Sequence, residues 1–460
     1  MESLRNLGYS LGAAIADLID NSITASASRI DIFHDLDQPQ FRLAILDNGL
    51  GMEREELLGA MRMGSSSPLD PRCTNDMGRF GLGMKTASFS QARRFTVITR
   101  KNDVCTGARW DLDNLDKRWK LEVLDDEEIE GTTWSDSICD TGTMILLEKL
   151  DRLGGKHLKK LTPKIFLREL DLARDHLSLV FHRYLAGQSA SRISININNY
   201  PIQPYDPFFK YHQATQPLNG MSVKVGSGLA EIKPYIIPHF SKLKGSERDV
   251  IKKYGGQSKT QGFYVYRNRR LLAWGSWFGL KRQKRESSAL ARIQIDISNA
   301  MDHQWGINIM KSKVFFPEAV KSEMRVVLDR IEGASVRTYT SRGQKISGAI
   351  PYPFWQREVS NSGVKYLIDH EHPLLKAFAK KLPPEVKREL SSIFSLIGEK
   401  MPLEAIYNDR LGDNIDRSTS AANNIGEEKY QQMLKLLLES GYEREQAENI
   451  LKHSFKEIGG

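Results

Sequence analysis

Gly78-Arg79-Phe80-Gly81-Leu82-Gly83-Met84-Lys85-Thr86-Ala87 sets three glycines at the head of a helix-forming run. First-turn amides have no intrahelical partner, and without side chains to shield them they bind anions such as phosphate. Lys85 or Arg79 could add positive charge there. The spacing is not a Walker loop, because no Gly-Lys-Ser/Thr occurs in it. A dinucleotide fold is also a poor match. Residues 64–77 carry Gly, Ser, Pro, Asp and Asn without periodicity, so a long loop and not a strand leads in. A loop of that length beside a glycine motif reads as a lid or binding segment.

Two polar signatures lie upstream: Ala16-Asp17-Leu18-Ile19-Asp20-Asn21-Ser22 and Asp47-Asn48-Gly49-Leu50-Gly51-Met52. Residues 8–25 read as a helix with Leu11, Ile15, Leu18, Ile19 and Ser22 on one face. Asp17 and Asn21, one turn apart, stack on a face opposite the Leu11, Ile15 and Leu18 stripe. A carboxylate beside an amide oxygen suits Mg²⁺ and a water, with Asn21 as the ligand and Asp17 as the base. Taken alone, the pair fits a solvated helix face as well. Asp47 ends an apolar strand, where its carboxylate can accept from an exocyclic amine such as that of adenine. Gly49 and Gly51 let the backbone approach the base, although Asp-Asn-Gly by itself also reads as a turn. Gly142-Thr143 opens a later strand. The Thr143 hydroxyl could support Asp47, or the residue could reflect strand preference only. In this order, the clusters describe a pocket for a nucleotide and a metal.

Around them, Arg29–Phe33, Phe41–Leu46, Phe95–Arg100, Val104–Trp110 and Thr143–Leu150 read as strands, and Glu53–Met61 and Lys85–Gln91 as helices. The mixture predicts an α+β sandwich, one sheet with helices on one face. The expected organisation is a nucleotide-binding domain at 1–160 and a bridging helix at 161–187. A smaller α+β domain at 188–335 and a helical region at 345–460 follow. Strands are expected at Arg192–Ile197, Ala230–Ile237, Gly262–Tyr266 and Arg292–Ile297, and a helical hairpin at Glu427–Ile458.

The chain has 460 residues and is 40% hydrophobic, enough for two or three domains with real cores. Its three cysteines are widely spaced without a metal-ligand pattern, which predicts a reducing, cytoplasmic setting. Neither a membrane span nor a signal peptide is expected. The net charge of +9 is concentrated: between Ser241 and Arg285 thirteen Lys and Arg face two acids, a local +11. Such a patch reads either as a footprint for DNA, with Tyr254, Trp274, Trp277 and Phe278 interleaved, or as a solvated face.

Asp-x-x-x-Asn, Asp-x-Gly-x-Gly, Gly-x-x-Gly-x-Gly-x-Lys and a late Gly-Thr together resemble the GHKL ATPase superfamily of gyrase B, heat-shock chaperone, histidine kinase and MutL. Residues 78–90 resemble the MORC-like prokaryotic ATPases most. The resemblance spans about residues 8–150 and extends over 188–335, which is similar to the transducer domain of that group. It implies a Bergerat-type ATP-binding α/β sandwich, a transducer-like domain and a helical C-terminal region, with ATP and Mg²⁺ as cofactors. Asn21 would bind Mg²⁺, and Asp47 would read adenine with Thr143. Gly49, Gly51, Met52, Gly78, Arg79, Phe80, Gly81, Leu82, Gly83 and Lys85 would line the nucleotide, with 64–77 as the lid. The family's water-activating acid is usually glutamate. Asp17 reaches one carbon–carbon bond less far, which implies slow hydrolysis or a shifted helix. A lysine of the second domain, Lys311 or else Lys313, would meet the γ-phosphate, unless both are simply exposed after a strand.

The implied function is an ATP-driven clamp that forms a homodimer on ATP and acts on DNA, in repair or phage defence. The alternative is a chaperone-like or scaffold ATPase that holds protein partners through C-terminal stripes at Tyr430, Met433, Leu437, Ile450, Leu451 and Phe455, unless these form a local core. A histidine kinase is disfavoured because none of the ten histidines sits in a dimerisation helix ahead of the ATP-binding segment. A topoisomerase is disfavoured because there is no room for a Tyr-bearing cleavage domain.

Overall fold

A continuous apolar run such as Leu43-Ala44-Ile45-Leu46 marks a strand buried on both faces, because successive side chains alternate across a sheet. The computed structural model describes residues 5, 8–36, 41–62, 83–114, 121–153, 156–157, 161–187, 192–226, 228–278, 288–298, 301, 304–306, 316–318, 320–324, 328, 352, 354–360, 363–401 and 427–454. In it Leu43 and Ile45 join one core, while Ala44 and Leu46 join another.

The chain gives strands β1 (Arg29–Asp35), β2 (Arg42–Asp47), β3 (Ala92–Lys101), β4 (Val104–Asp111), β5 (Glu122–Leu124), β6 (Gly142–Leu150), a short ribbon of β7 (Arg152–Leu153) and β8 (Lys156–His157), β9 (Ser194–Ile197) and β10 (Tyr200–Pro201). All but the ribbon form an eight-stranded sheet in the order β10-β9-β1-β2-β6-β3-β4-β5. Its pairings are antiparallel except β1 with β9. Helices α1 (Leu11–Thr24), α2 (Arg54–Met61), α3 (Gly83–Gln91) and α5 (Pro163–Val180) contribute to the core on one face, where Ile15, Leu18, Ile19, Leu57, Phe89 and Phe166 meet Ile45, Val97 and Leu147. The other face is covered too. Leu124, Ile138 and Ile129 of α4 (Asp126–Glu130) pack there on Leu46, Ile98 and Met144. The fold is α+β, with this second, thinner layer added to the expected one.

Two boundaries differ from expectation. Arg192–Ile197 was expected in the second domain, but β9 pairs in parallel with β1 and extends the first sheet. The expected bridging helix ends at Val180, a short α6 (His182–Leu185) follows, and α5 lies along α1. Its apolar face, Phe166, Leu170, Ala173 and Leu177, supplies the core where an outward bridge would leave that stripe in water.

A second sheet runs β11 (Gln216–Pro217)-β13 (Gly228–Ile236)-β16 (Ala291–Ile297)-β14 (Gly262–Arg267)-β15 (Arg270–Ser276), with β12 (Met221–Val225) hairpinned onto β13. The β14–β15 turn uses Asn268 at φ 48° and Arg269 at φ 67°. Two positive φ values in a row match the twist of a tight hairpin. Both sheets fall largely in one compact unit, Met1–Ile237, Gly262–Arg282 and Arg292–Val327.

The other unit comprises Pro238–Gln261, Gln283–Ala291 and Leu328–Gly460. It carries α7 (Gly245–Lys253), α8 (Gly256–Lys259), a hairpin of β17 (Trp355–Ser360) and β18 (Gly363–Ile368), then α9 (Pro373–Ala379), α10 (Pro384–Glu399), α11 (Glu427–Glu439) and α12 (Arg444–Ser454). The β-hairpin interrupts what was expected to be a mostly helical tail. The α11–α12 pair turns at Ser440-Gly441, with Gly441 at φ 95°. Leu434, Leu437, Ile450 and Leu451 close a core with Leu374 and Ala377. The stripe weighed above as a partner surface is thus largely consumed internally; Phe455 lies outside the described residues. Among the described residues no helix is long and apolar enough to cross a membrane.

Candidate nucleotide site

Helix α1 starts at Ser10, whose hydroxyl accepts from the Ala13 amide. Sheet, α3 and α5 bury the helix on most sides, so its polar residues do not share a solvated face. Asn21 is exposed, but Asp17 is only 4% exposed and Asp20 1%. The alternative of a plain solvated helix face therefore does not hold at Asp17. Its carboxylate meets two buried partners: the Tyr9 hydroxyl donates to Oδ2 at 2.9 Å, and Arg270 Nη2 lies 3.4 Å from Oδ1. The Arg270 Nε donates to Asp20 Oδ1 at 2.8 Å. Burial and the neighbouring Asp17 charge push the Tyr9 phenol well above its usual range, which keeps it a donor.

Asp47 ends β2 and is 8% exposed. Ser22 Oγ donates to its Oδ2 at 2.7 Å and the Gly49 amide to its Oδ1 at 2.9 Å. Burial raises its pKa, against the lowering effect of hydrogen bonds from Ser22, Gly49 and the Thr143 backbone. Thr143 lies opposite Asp47 on β6. Its hydroxyl is 3.1 Å from Thr99 Oγ1, and Thr99 accepts from the Met52 amide at 2.8 Å. Gly51 at φ 64° lies so close to β3 that a Cβ would come 2.1 Å from the Arg100 carbonyl oxygen. Ser22, Asp47, Gly49, Gly51, Met52 and Thr143 are therefore drawn together at one end of β2, β3 and β6.

Gly83 opens α3, with nothing within 4 Å of where its Cβ would stand. Gly78, Arg79, Phe80, Gly81 and Leu82 lie outside the described residues, as do residues 64–77, expected as a lid, Lys311 and Lys313. Lys85 is turned elsewhere than expected. It is 1% exposed, and its ammonium donates to the carbonyls of Ala60 at 2.8 Å and Arg62 at 2.5 Å, at the end of α2. Burial lowers its pKa to about 8. Free C-terminal carbonyls of a helix are a natural seat for a cation.

Five residues of this network were not singled out from sequence. Ser22 and Asp20 sit inside the first motif, and their spacing there is the only local signal. Tyr9 lies eight residues before Asp17, ahead of the helix and outside the motif, while Thr99 and Arg270 carry no local signal because their partners are distant in the chain. The basic stretch also divides. Lys242, Lys244, Lys252, Lys253 and Lys259 are exposed, whereas Arg267 and Arg270 are buried. Trp277 is buried against Phe263, which removes it from a nucleic-acid face.

Residues 9–142 match the family model described as histidine kinase-, DNA gyrase B-, and HSP90-like ATPase. The chain is similar to ATPase morc-1 of Caenorhabditis elegans, 39% identical over 95 residues, or 20% of this chain and 11% of that protein. It is similar to ATPase MORC2 of Homo sapiens, 33% identical over 99 residues, or 21% of this chain and 10% of that protein. It is also similar to Chaperone protein HtpG of Shouchella clausii, 29% identical over 120 residues, or 24% of this chain and 19% of that protein. The chain thus spans about a tenth of the length of these MORC relatives.

Proposed function

We propose that the chain, whose residues 9–142 match the histidine kinase-, DNA gyrase B-, and HSP90-like ATPase model and are similar in part to MORC ATPases, binds Mg-ATP at the end of β2, hydrolyses it slowly, and uses the cycle to clamp DNA as an ATP-dependent homodimer. The observation that carries the reading is Asp47, a buried carboxylate held from both sides by Ser22 and Gly49. One turn of α1 away from Asp17, Asn21 exposes an amide oxygen, a hard donor of the kind Mg²⁺ takes in small number beside phosphate oxygens. Among the described residues no group of three or more His, Cys, Asp or Glu could hold a metal by itself. A single amide oxygen at Asn21 fits an ion whose other ligands are water and nucleotide phosphate oxygens.

In this reading Asn21 holds the metal, and Asp47 with Thr143 reads the adenine amine. The backbone at Gly49, Gly51 and Met52 lies along the nucleotide, while residues 78–83 receive the phosphates. Asp17 accepts the proton of the water whose oxygen attacks the γ-phosphorus, as the bond to the ADP oxygen breaks and ADP and phosphate leave. Lys311 or Lys313 would supply the γ-phosphate contact. The clamp is tested by size exclusion with light scattering. A doubled mass is expected with a non-hydrolysable ATP analogue, and not with ADP or without nucleotide. One unchanged mass in all three conditions would remove the dimer.

The DNA reading rests on the five exposed lysines between 242 and 259. Binding of a DNA duplex should weaken steeply with salt, by roughly one decade of affinity per decade of salt for each phosphate neutralised. A flat dependence would assign those lysines to solvent. A protein client is the second reading, carried by the similarity to Chaperone protein HtpG.

A further inference from the structure

We infer that Arg270 is a positioning residue for the acid that handles the attacking water, so that the nucleotide site is incomplete without a strand of the second sheet. The inference rests on the assignment of Asp17 above. Arg270 opens β15, 250 residues after Asp20. Its fork spans two carboxylates one turn apart on α1, Nε to Asp20 and Nη2 to Asp17. The three side chains are 6%, 1% and 3% exposed for Arg270, Asp20 and Asp17. Two carboxylates buried so close together require a cation, and among the described residues Arg270 is paired with both.

The arginine is delivered by design of its hairpin. The β14–β15 turn is tied down at its tip, where the Tyr184 hydroxyl donates to the Asn268 carbonyl at 2.6 Å and the Arg269 guanidinium stands 4.4 Å from the Tyr184 ring centre. Arg270 itself lies 5.8 Å from the centre of the buried Phe181 ring. Both aromatics come from the end of the α5–α6 segment, which also packs along α1. The hairpin tip, the helix pair and α1 thus fix one another, and the guanidinium fixes the direction of the Asp17 carboxylate.

Tyr9 holds the other oxygen of Asp17. Contacts on both oxygens, Tyr9 on Oδ2 and Arg270 on Oδ1, restrain rotation about the carboxylate bond. Asp17 is a short acid that cannot search for its water by bending a longer stem, so orientation matters more for it than for a glutamate.

The test uses the full chain with Mg-ATP and a non-hydrolysable ATP analogue as probes. Arg270→Ala is expected to leave analogue affinity within about threefold and to lower kcat at saturating ATP by about tenfold or more. Arg270→Lys keeps the charge without the fork, and should recover part of that loss. Once Asp17→Asn has removed the proton acceptor, adding Arg270→Ala should cost less than about twofold more, because the two residues act as one unit. An unchanged or increased kcat in Arg270→Ala would overturn the inference, as would a second full loss in the Asp17→Asn background. If Arg270→Ala does not fold, Arg270→Lys in both backgrounds decides by the same criteria. Wild-type turnover by Asp17→Asn would instead sink the role of Asp17, a result distinct from failure at Arg270.

Discussion

Asp47→Ala is expected to weaken binding of a non-hydrolysable ATP analogue by about a hundredfold, close to 2.7 kcal/mol, with the fold retained. In the proposed reading the carboxylate is the acceptor for the adenine amine, and the Ser22 hydroxyl and the Gly49 amide already aim it. Alanine removes the acceptor and leaves both donors without their partner beside the base. Asp47→Asn keeps the shape but presents an amide to an amine, so it should also lose most of the affinity. Calorimetric titration alongside a denaturant melt separates binding from folding. An intact fold with analogue affinity within about threefold of wild type would place adenine elsewhere.

The same residue gives a pH dependence with two opposite signs. Burial raises the Asp47 pKa above the usual carboxylate value. Lowering the pH through the raised value protonates the acceptor, so analogue affinity should fall before an ordinary carboxylate would titrate. Stability moves the other way. An acid whose folded pKa is raised takes up its proton earlier in the folded state, so its contribution is fully present below the unfolded pKa. That contribution is lost as pH rises through the folded pKa.

Gly142→Ala is expected to destabilise the nucleotide domain by about 3 kcal/mol or more, read as a lower denaturation midpoint. Gly142 sits at φ 149°, and a Cβ would come 2.1 Å from the Asp47 carbonyl oxygen. The clash sets a Cβ fixed rigidly to the backbone against a backbone carbonyl, so neither side can rotate away. Relief requires β2 and β6 to part where Asp47 pairs with Thr143. Analogue affinity should fall with stability, because the pairing that opens is the one that places Asp47. Gly59, in α2 with open space around it, is the control: Gly59→Ala should be neutral or stabilising by up to about 1 kcal/mol. Equal midpoints for Gly142→Ala and wild type would mean that the β2–β6 register is wrong.

The strands of the first sheet were legible because their signal is local. Leu43–Leu46 is apolar at every position, and the pattern alone says that both faces are covered. The helical hairpin at the end of the chain was legible for the same reason. The β17–β18 hairpin was missed, since Trp355–Ser360 and Gly363–Ile368 are short and lie in a stretch dominated by helical periodicity. The allocation of Ser194–Ile197 was missed because a strand's composition does not say which sheet it will join.

What the residues determined by themselves was the order of three polar motifs and the elements that carry them. Spacing of one turn or two residues is fixed by backbone geometry and needs no partner. Only the tertiary structure decided that Asp17 is buried, that Lys85 faces helix carbonyls, and that Ser22 rather than a neighbour supports Asp47. It alone brought Arg270 onto Asp17 and Asp20 across some 250 positions. Such a pairing follows from strand register and helix packing, which fix distances between atoms whose separation along the chain carries no periodic trace.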